Sequence, residues 1–435
     1  MNLPAFNRRS FLKGSALAAG LAAANVSVPG FCSDAAPSNK LNIAVIGPCN
    51  RGGANLSGVI GENVLAICDV DSKYLDQASQ RVPNAEKFED FRIMLEKREK
   101  DIDAVVVSTP DHTHAVCAVM AMRMGKHCYC EKPLSHNVLE CRVMQNIAQE
   151  KKLVTQMGTQ IHAGDNYRRV VELVQSGAIG KVREVHTWFS GTGAINIGRP
   201  AEEPVPANLN WDLWLGPAPM RPFNNVYHPG RWRRYWDFGN GTLGDFGCHH
   251  MDLPFWALGL QDCLTVESVG QNHDPEGTPH EQTVKYTFPA RGDLPPVVLT
   301  WYNGIMPPIL AEKQIQGAPG AGNLFVGEKG MILADYGMHK LLPENQFADF
   351  KRPEPYIPAS LGHHAEWIKA CKENNPEATT CRFGYSGRLS ETVLLGNVAF
   401  RAQEKLEWDA ANLKVTNVEA ANQWLQREYR KGWNL

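Results

Sequence analysis

The sequence lacks three features that would each indicate a particular class of protein. Lysine and arginine (44) nearly balance aspartate and glutamate (46), and the net charge of −2 excludes a strongly basic nucleic-acid surface. The eleven cysteines are irregularly spaced, unlike the disulfide framework of a small secreted domain, so we expect most to be buried thiols. The apolar run from Gly14 to Val28 is too short and too alanine-rich for a membrane span or stable anchor. The remaining class is a globular chain of 435 residues, long enough for two packed domains.

The first 36 residues differ in composition from the rest of the chain. Arg8 and Arg9 are followed by a short run of small, mildly apolar residues. This pattern resembles a twin-arginine export signal, which directs already folded proteins across the bacterial inner membrane. Cys32 follows a bulky phenylalanine, which argues against a lipoprotein anchor. We therefore expect an exported or periplasmic protein that folds with its cofactor in the cytoplasm; an ordinary amphipathic tail is the alternative.

Strand-like and helix-like segments alternate through residues 37–162. The strand-like segments are short, apolar and rich in β-branched residues, which is typical of buried parallel strands. The five predicted strands are residues 41–47, 63–69, 103–110, 127–133 and 152–158, with helices at 54–60, 72–82, 91–100, 114–125 and 137–150. The sequence therefore predicts an α/β fold with a doubly wound Rossmann sheet that binds its ligand at the carboxyl ends of the strands.

The turn after the first strand, GPCNRG (47–52), partly matches the dinucleotide-binding pattern G-x-G-x-x-G. Gly47 and Gly52 occupy the first and third glycine positions, but Cys49 replaces the second, where its Cβ would crowd the phosphates. A doubly wound domain without a nucleotide is the alternative. We expect the cofactor to be held by Gly47, Asn50, Arg51 and Gly52.

Asp69 ends the second predicted strand, where a carboxylate can bind both hydroxyls of a cofactor ribose. The same carboxylate would repel a 2′-phosphate. The sequence therefore favours NAD over NADP.

The fourth predicted strand ends in CYCEKP (128–133), at the edge where the cofactor would lie. The two cysteines have no CxxC partner downstream, which disfavours a metal or redox site. Lys132 could hold its charge near a substrate oxygen on which negative charge develops, with Pro133 fixing the backbone. A surface pair of Glu131 and Lys132 is the alternative.

The stretch STPDHTHAVCAVMAMRMGKHCYCEKPLSHNVLECRVM (108–144) resembles the Gfo/Idh/MocA oxidoreductases, whose most specific short motif is EKP. The resemblance runs from residue 41 to the end of the chain. It implies a Rossmann domain followed by an α/β domain with an open, mostly antiparallel sheet, together with NAD(P), sugar, inositol or polyol substrates, and dimers or tetramers. The twin-arginine start and the C-terminal YRKGWNL (429–435) resemble the exported bacterial branch of the family. Residues expected to flank the cofactor are Thr109, Pro110, His114, Glu131 and Lys132.

Residues 163–435 have a different pattern. A helix at 165–177 leads to strands of alternating polarity, which are typical of half-buried antiparallel sheets. The predicted strands include 182–190, 283–290 and 297–304, and two helices near the end, 362–374 and 386–405, are expected to pack back on the first domain. Between the strands lies a long proline- and tryptophan-rich stretch, 206–256, which we expect to be functional because so long a loop is uncommon.

The segment GDFGCHHMD (244–252) concentrates acidic and histidine side chains. In a helix, Asp245 and His249 would lie on one face, where an aspartate could orient a histidine for general acid–base catalysis. The resemblance places the substrate-side motif of the family on the same two residues. A metal centre of His249, His250 and Asp252, or buried structural histidines, are the alternatives.

Aromatic and basic residues in the long stretch could stack on a sugar ring, although core packing is an equal alternative for the tryptophans. The residues expected to contact substrate are Tyr227, His228, Arg231, Trp232 and His250.

The leading hypothesis is an NAD-dependent oxidoreductase that transfers a hydride between the nicotinamide and a hydroxyl carbon of a sugar, inositol or other polyol. Lys132, Asp245 and His249 are its expected catalytic residues, and no metal is required. One alternative is a glycosidase that oxidises its substrate transiently with a retained NAD. Another is a non-catalytic sugar-binding protein, for which Cys49 is the main support.

Overall fold

A parallel sheet occupies the first part of the described chain, which comprises residues 39–191, 198–270 and 274–435 of this computed structural model. The strands are β1 (Asn42–Ile46), β2 (Asn63–Cys68), β3 (Glu86–Phe88), β4 (Ala104–Val107), β5 (His127–Cys130) and β6 (Thr155–Met157). The helices between and after them are α1 (Arg51–Val59), α2 (Ser72–Ser79), α3 (Phe91–Lys97), α4 (Asp111–Arg123), α5 (Val138–Glu150) and α6 (Asp165–Gln175). The strand order β3-β2-β1-β4-β5-β6 confirms the predicted doubly wound fold.

The central strands are buried on both faces, which explains their unbroken apolar sequences. Ile43 pairs with Ala104 and Val45 with Val106, and these side chains have no solvent exposure. The edge strand β3 was not predicted, because it has only three residues and two of them are charged.

A larger sheet follows. Its strands are β7 (Val182–Phe189), β8 (Thr265–Gly270), β9 (Gln282–Phe288), β10 (Val297–Asn303), β11 (Ala321–Gly327), β12 (Gly330–Ala334), β13 (His339–Leu342), β14 (Leu406–Asp409) and β15 (Lys414–Val415). The order is β13-β12-β11-β7-β10-β9-β8-β14-β15, and among these described strands the β7–β10 pair alone is parallel. The expected second sheet, mostly antiparallel, is therefore confirmed.

The remaining helices lie between strands of the larger sheet along the sequence. They are α7 (Trp211–Leu215), α8 (Gly241–His250), α9 (Asp252–Leu258), α10 (Pro308–Glu312), α11 (His363–Lys372) and α12 (Phe383–Ala402). His364 on α11 contacts Asn55 on α1, and Arg142 on α5 binds the buried Glu391 on α12. Residues 41–435 pack as one unit. The boundaries 1–36, 37–162 and 163–435 stay a prediction, and the twin-arginine segment lies outside the described residues.

Most cysteines are buried, as the sequence predicted. Nine of the ten cysteines among the described residues are buried, and Cys49 is partly exposed. In the same part of the chain, every helix is too short or too polar to cross a membrane.

Candidate active site

The carboxyl ends of β1, β2, β4 and β5 open into a cleft of about 500 Å³. Residues of the long proline- and tryptophan-rich stretch also line it, as does Trp433 near the end of the chain. A ligand at this edge of a doubly wound sheet is expected from the topology.

The turn from β1 to α1 has the close backbone approach of a phosphate-binding loop. A Cβ on Gly52 would lie 1.7 Å from the carbonyl oxygen of Gly47, and one on Gly47 (φ 74°) would lie 2.8 Å from the oxygen of Ser108. The side chain of Asn50, whose φ is 52°, makes no capping hydrogen bond at the start of α1. The N–H groups of this first turn thus have the character of an anion site.

Cys49 lines the cleft, and its thiol contacts the neighbouring helix α2. Its Sγ lies 3.1 Å from the carbonyl oxygen of Tyr74 on α2. Burial, reinforced by the charge of Asp69, raises the pKa of Cys49 to about 11, so the thiol stays neutral. The sulfur therefore places no charge against a cofactor phosphate.

Asp69 lies directly after β2 and lines the cleft. Burial raises its pKa to about 7, although the backbone N–H of Asp71 donates to its Oδ1 at 3.0 Å. The position fits a carboxyl that binds ribose hydroxyls.

Residues 208–233, here called the strap, cross the cleft beside Asp69. The N–H of Asn210 donates to the carbonyl of Val70 at 2.9 Å, and Asn208 accepts from the N–H of Ser72 at 2.8 Å. His228 Nε2 lies 3.0 Å from Asp71 Oδ2. His228 lines the cleft as expected, but the contact it makes joins the strap to the first sheet.

Two side chains hold the loops around Lys132. The ring nitrogens of His114 each lie 2.8 Å from a carbonyl oxygen, one of Thr109 and one of Pro133. The buried Glu131 accepts hydrogen bonds on Oε1 from Arg51, Asn55 and Gln160 at 3.2, 2.9 and 2.8 Å. His114 and Glu131 line the cleft and also fix its shape. Nothing in the sequence identified Gln160.

Lys132 is paired with Asp245 on α8. Its Nζ donates to the carboxylate and, at 2.7 Å, to the backbone carbonyl of Asp245. Arg233 contacts the same carboxylate oxygen at 3.1 Å. Burial would raise the pKa of Asp245, but the charges of Lys132 and Arg233 hold it well below its usual value. Asp245 therefore remains ionised and holds Lys132.

His249 follows Asp245 by one turn of α8 and lines the cleft. The expectation that Asp245 orients His249 is wrong: among the described residues the carboxylate binds two cations, which attract it more strongly than a neutral imidazole. The Nδ1 of His249 is buried and has no hydrogen-bond partner in the part of the chain that the structure describes. Burial and the charge of Lys132 lower the pKa of His249 well below 6.5, so its ring is neutral at pH 7.

Three expected substrate residues lie outside the cleft. Tyr227 is 1% exposed, packs in an aromatic cluster and accepts a hydrogen bond from Arg221 at 3.0 Å. Arg231 is exposed on the surface. His250 is buried and stacks on Tyr336, with ring centroids 4.7 Å apart. Composition suggested sugar contacts, but Tyr227 and His250 pack against other aromatic rings, and Arg231 faces solvent.

Trp232 does line the cleft, as does Arg233, whose guanidinium lies 4.1 Å from the Trp232 ring centroid. The alternative metal centre of His249, His250 and Asp252 does not assemble. Asp252 instead accepts from His162 Nδ1 at 2.9 Å and from the Tyr385 hydroxyl at 2.8 Å. In the described part of the chain, the group with metal-ligand spacing is His162, Asp252 and Cys381, all buried.

Comparisons with known proteins agree with this architecture. Residues 41–159 match the oxidoreductase family with an NAD-binding Rossmann fold, and residues 169–292 match the C-terminal alpha/beta domain of that family. Together the two matches span more than half of the chain.

Two curated relatives each match less than half of the chain. A glycosyl hydrolase family 109 protein 1 from Shewanella sp. (strain MR-4) is 28% identical over 204 residues, 40% of this chain and 44% of the relative. A levoglucosan dehydrogenase from Pseudarthrobacter phenanthrenivorans is 25% identical over 199 residues, 44% of this chain and 42% of the relative. The matched regions thus cover less than half of either relative.

Solved structures share the fold over a longer span. The WlbA dehydrogenase from Bordetella pertussis, in complex with NADH and UDP-GlcNAcA, has a TM-score of 0.60 at 15% identity and covers 85% of this chain and 99% of its own. The aldose-aldose oxidoreductase from Caulobacter crescentus has a TM-score of 0.57 at 15% identity, covering 85% and 100%. At these identities the likeness shows the fold alone.

Proposed function

The chain belongs to the Gfo/Idh/MocA oxidoreductase family, and from this premise we propose that it transfers a hydride between NAD and a hydroxyl-bearing carbon of a carbohydrate or polyol. The observation that carries the proposal is the shared cleft of Lys132 and His249 beside a glycine turn that fits a dinucleotide. Such a cleft combines a fixed positive charge with a neutral base.

The residues of the chain have separate tasks in this reaction. The start of α1 would hold the pyrophosphate, and Asp69 the ribose hydroxyls. When bound, NAD supplies the hydride acceptor. Lys132, fixed by Asp245, stabilises negative charge on the substrate oxygen, while His249 accepts the hydroxyl proton.

A glycosidase that retains NAD is the second candidate. The strap favours it, because His228 and Asn210 join the strap to the first sheet beside Asp69, at the ribose end of the cleft. A cofactor that does not exchange must be reoxidised in each cycle, which suits transient oxidation and cleavage of a glycoside. A non-catalytic sugar-binding role has less support, since the thiol of Cys49 contacts α2.

The test begins with denaturing the purified protein and identifying released nucleotide by chromatography and mass spectrometry. The protein is then incubated with sugars, inositols and glycosides, with and without added NAD. Reduction of added NAD by a sugar or polyol supports the first candidate. Glycoside cleavage without added NAD supports the second, and bound sugar with neither nucleotide nor turnover contradicts both.

Export and assembly are also part of the proposal. Residues 1–36 would direct the folded, cofactor-loaded protein out of the cytoplasm, and the chain would form a dimer or tetramer. Fractionation of cells that express the protein with Arg8→Lys and Arg9→Lys tests the first point, because a twin-arginine substrate would stay in the cytoplasm. Light scattering after gel filtration tests the second.

A further inference from the structure

Asp111 is a buried carboxyl in the cleft that the proposed hydride transfer does not use. It is the first residue of α4, is 3% exposed, and lines the cleft together with Lys132 and His249. Among the described residues its side chain makes one hydrogen bond, a long one of 3.4 Å from Asn240 Nδ2 to Oδ2. No lysine or arginine of that part of the chain forms an ion pair with it. Its oxygens are therefore available to a ligand.

The charged groups nearest to Asp111 are committed elsewhere. Lys132 and Arg233 both bind Asp245, whose negative charge opposes ionisation of Asp111. Burial is the main cause that raises the pKa of Asp111 to about 7. A carboxyl in this range can both accept and return a proton near neutral pH.

We propose that Asp111 is a second acid–base residue, which removes the proton from the substrate carbon next to the oxidised one. This inference rests on the proposed function. It assigns as substrates glycosides or similar polyols in which a third carbon, bonded to the one that loses the proton, carries a leaving oxygen.

The chemistry requires two proton-transfer groups. With NAD bound, oxidation of a hydroxyl carbon would transfer its hydride to the cofactor and the hydroxyl proton to His249, and the new carbonyl would acidify the adjacent C–H bond. The Asp111 carboxylate takes that proton, the electron pair of the C–H bond forms a C=C bond, and the next C–O bond breaks with its electron pair on oxygen. The leaving oxygen takes the proton from His249. The second proton transfer then falls to Asp111, a buried carboxyl of the same cleft that forms no ion pair among the described residues.

The test supplies the ketone directly, so that no hydride step is needed. Methyl glycosides oxidised chemically at one ring carbon are incubated with the holoenzyme in deuterium oxide, and NMR measures exchange at the carbon next to the carbonyl. We expect exchange to fall at least about a hundredfold in Asp111→Asn and to recover partly in Asp111→Glu. Asp165→Asn is the matched control, because Asp165 is also the first residue of a helix but is exposed.

A second readout needs no turnover. Difference infrared spectroscopy between the wild type and Asp111→Asn should show a carboxylic-acid band that titrates near pH 7. NAD content and thermal unfolding show whether the variants are folded. Exchange that is absent from the wild type, or equal in Asp111→Asn, overturns the inference. Hydride transfer from unmodified polyols is measured in parallel, and its absence from the wild type would instead refute the proposed function.

Discussion

A double-mutant cycle can decide which residue Asp245 serves. The structure pairs its carboxylate with Lys132, whereas the spacing of four on α8 suggested His249. The variants are Lys132→Ala, His249→Ala, Asp245→Asn and the two doubles that contain Asp245→Asn. Each single change removes a group that acts in the transition state or fixes one that does.

The expected magnitudes follow from these contacts. Loss of Lys132 or His249 should lower kcat by at least about a hundredfold, or about 2.7 kcal/mol. If Asp245 acts through Lys132, the double variant with Lys132→Ala should be no slower than Lys132→Ala alone. In the double variant with His249→Ala, the losses from Asp245→Asn and His249→Ala should add, which lowers kcat by about 10⁴-fold, or about 5.4 kcal/mol.

Steady-state kinetics on the best polyol substrate measure the cycle, with NAD content and thermal unfolding as controls for folding. The reasoning is refuted if Asp245→Asn adds nothing to His249→Ala but multiplies the effect of Lys132→Ala. That result would mean that Asp245 orients the histidine during turnover. Near-normal activity in both alanine variants would refute the assignment of the site itself.

Four further predictions concern pH, the strap, the glycine turn and stability. Because the pKa of His249 is lowered, its ring stays neutral below the ordinary histidine pKa of about 6.5. The kcat should therefore stay constant from about pH 8 to about pH 6, and a fall in kcat centred near about pH 6.5 would contradict this. His228→Ala should speed NAD release about tenfold, as expected for loss of one strong hydrogen bond, whereas Arg231→Ala, exposed outside the cleft, should not change it in the same filtration assay. Cys49→Gly should change the Kd for NAD, measured by calorimetry, less than about threefold, since the loss of a thiol that contacts α2 leaves the start of α1 unaltered. Asp252→Asn should destabilise the fold by about 3 kcal/mol in urea unfolding, because its buried partners lose a charged acceptor; an unchanged midpoint would contradict that role.

The sequence predicted those parts of the site that depend on local spacing. Gly47 and Gly52 are five residues apart, and the EKP motif lies directly after a strand, so the fold alone brings them to one edge. Asp245 and His249 were placed on one helix for the same reason. Their helix could be predicted, but the partner of Asp245 could not.

The missed and misassigned residues depend on contacts between distant segments. Arg233 contacts Asp245 on α8, and Gln160 donates to the carboxylate of Glu131, 29 residues earlier. Tyr227 has the composition of a sugar-stacking residue but lies in a cluster with Trp211 and Phe238. Periodicity does not distinguish an aromatic side chain that lines a cleft from one that packs beneath it.

The cleft has a consequence for the order of folding. Ile46 and Trp433 line the same cavity although almost the whole described chain separates them. Contacts between such distant positions form slowly, because a long loop must close before they contribute any stability. A chain that folds as it is synthesised builds the parallel sheet first and receives the strap and Trp433 only afterwards. The nucleotide end of the cleft is therefore among the earliest surfaces to form and among the last to be enclosed.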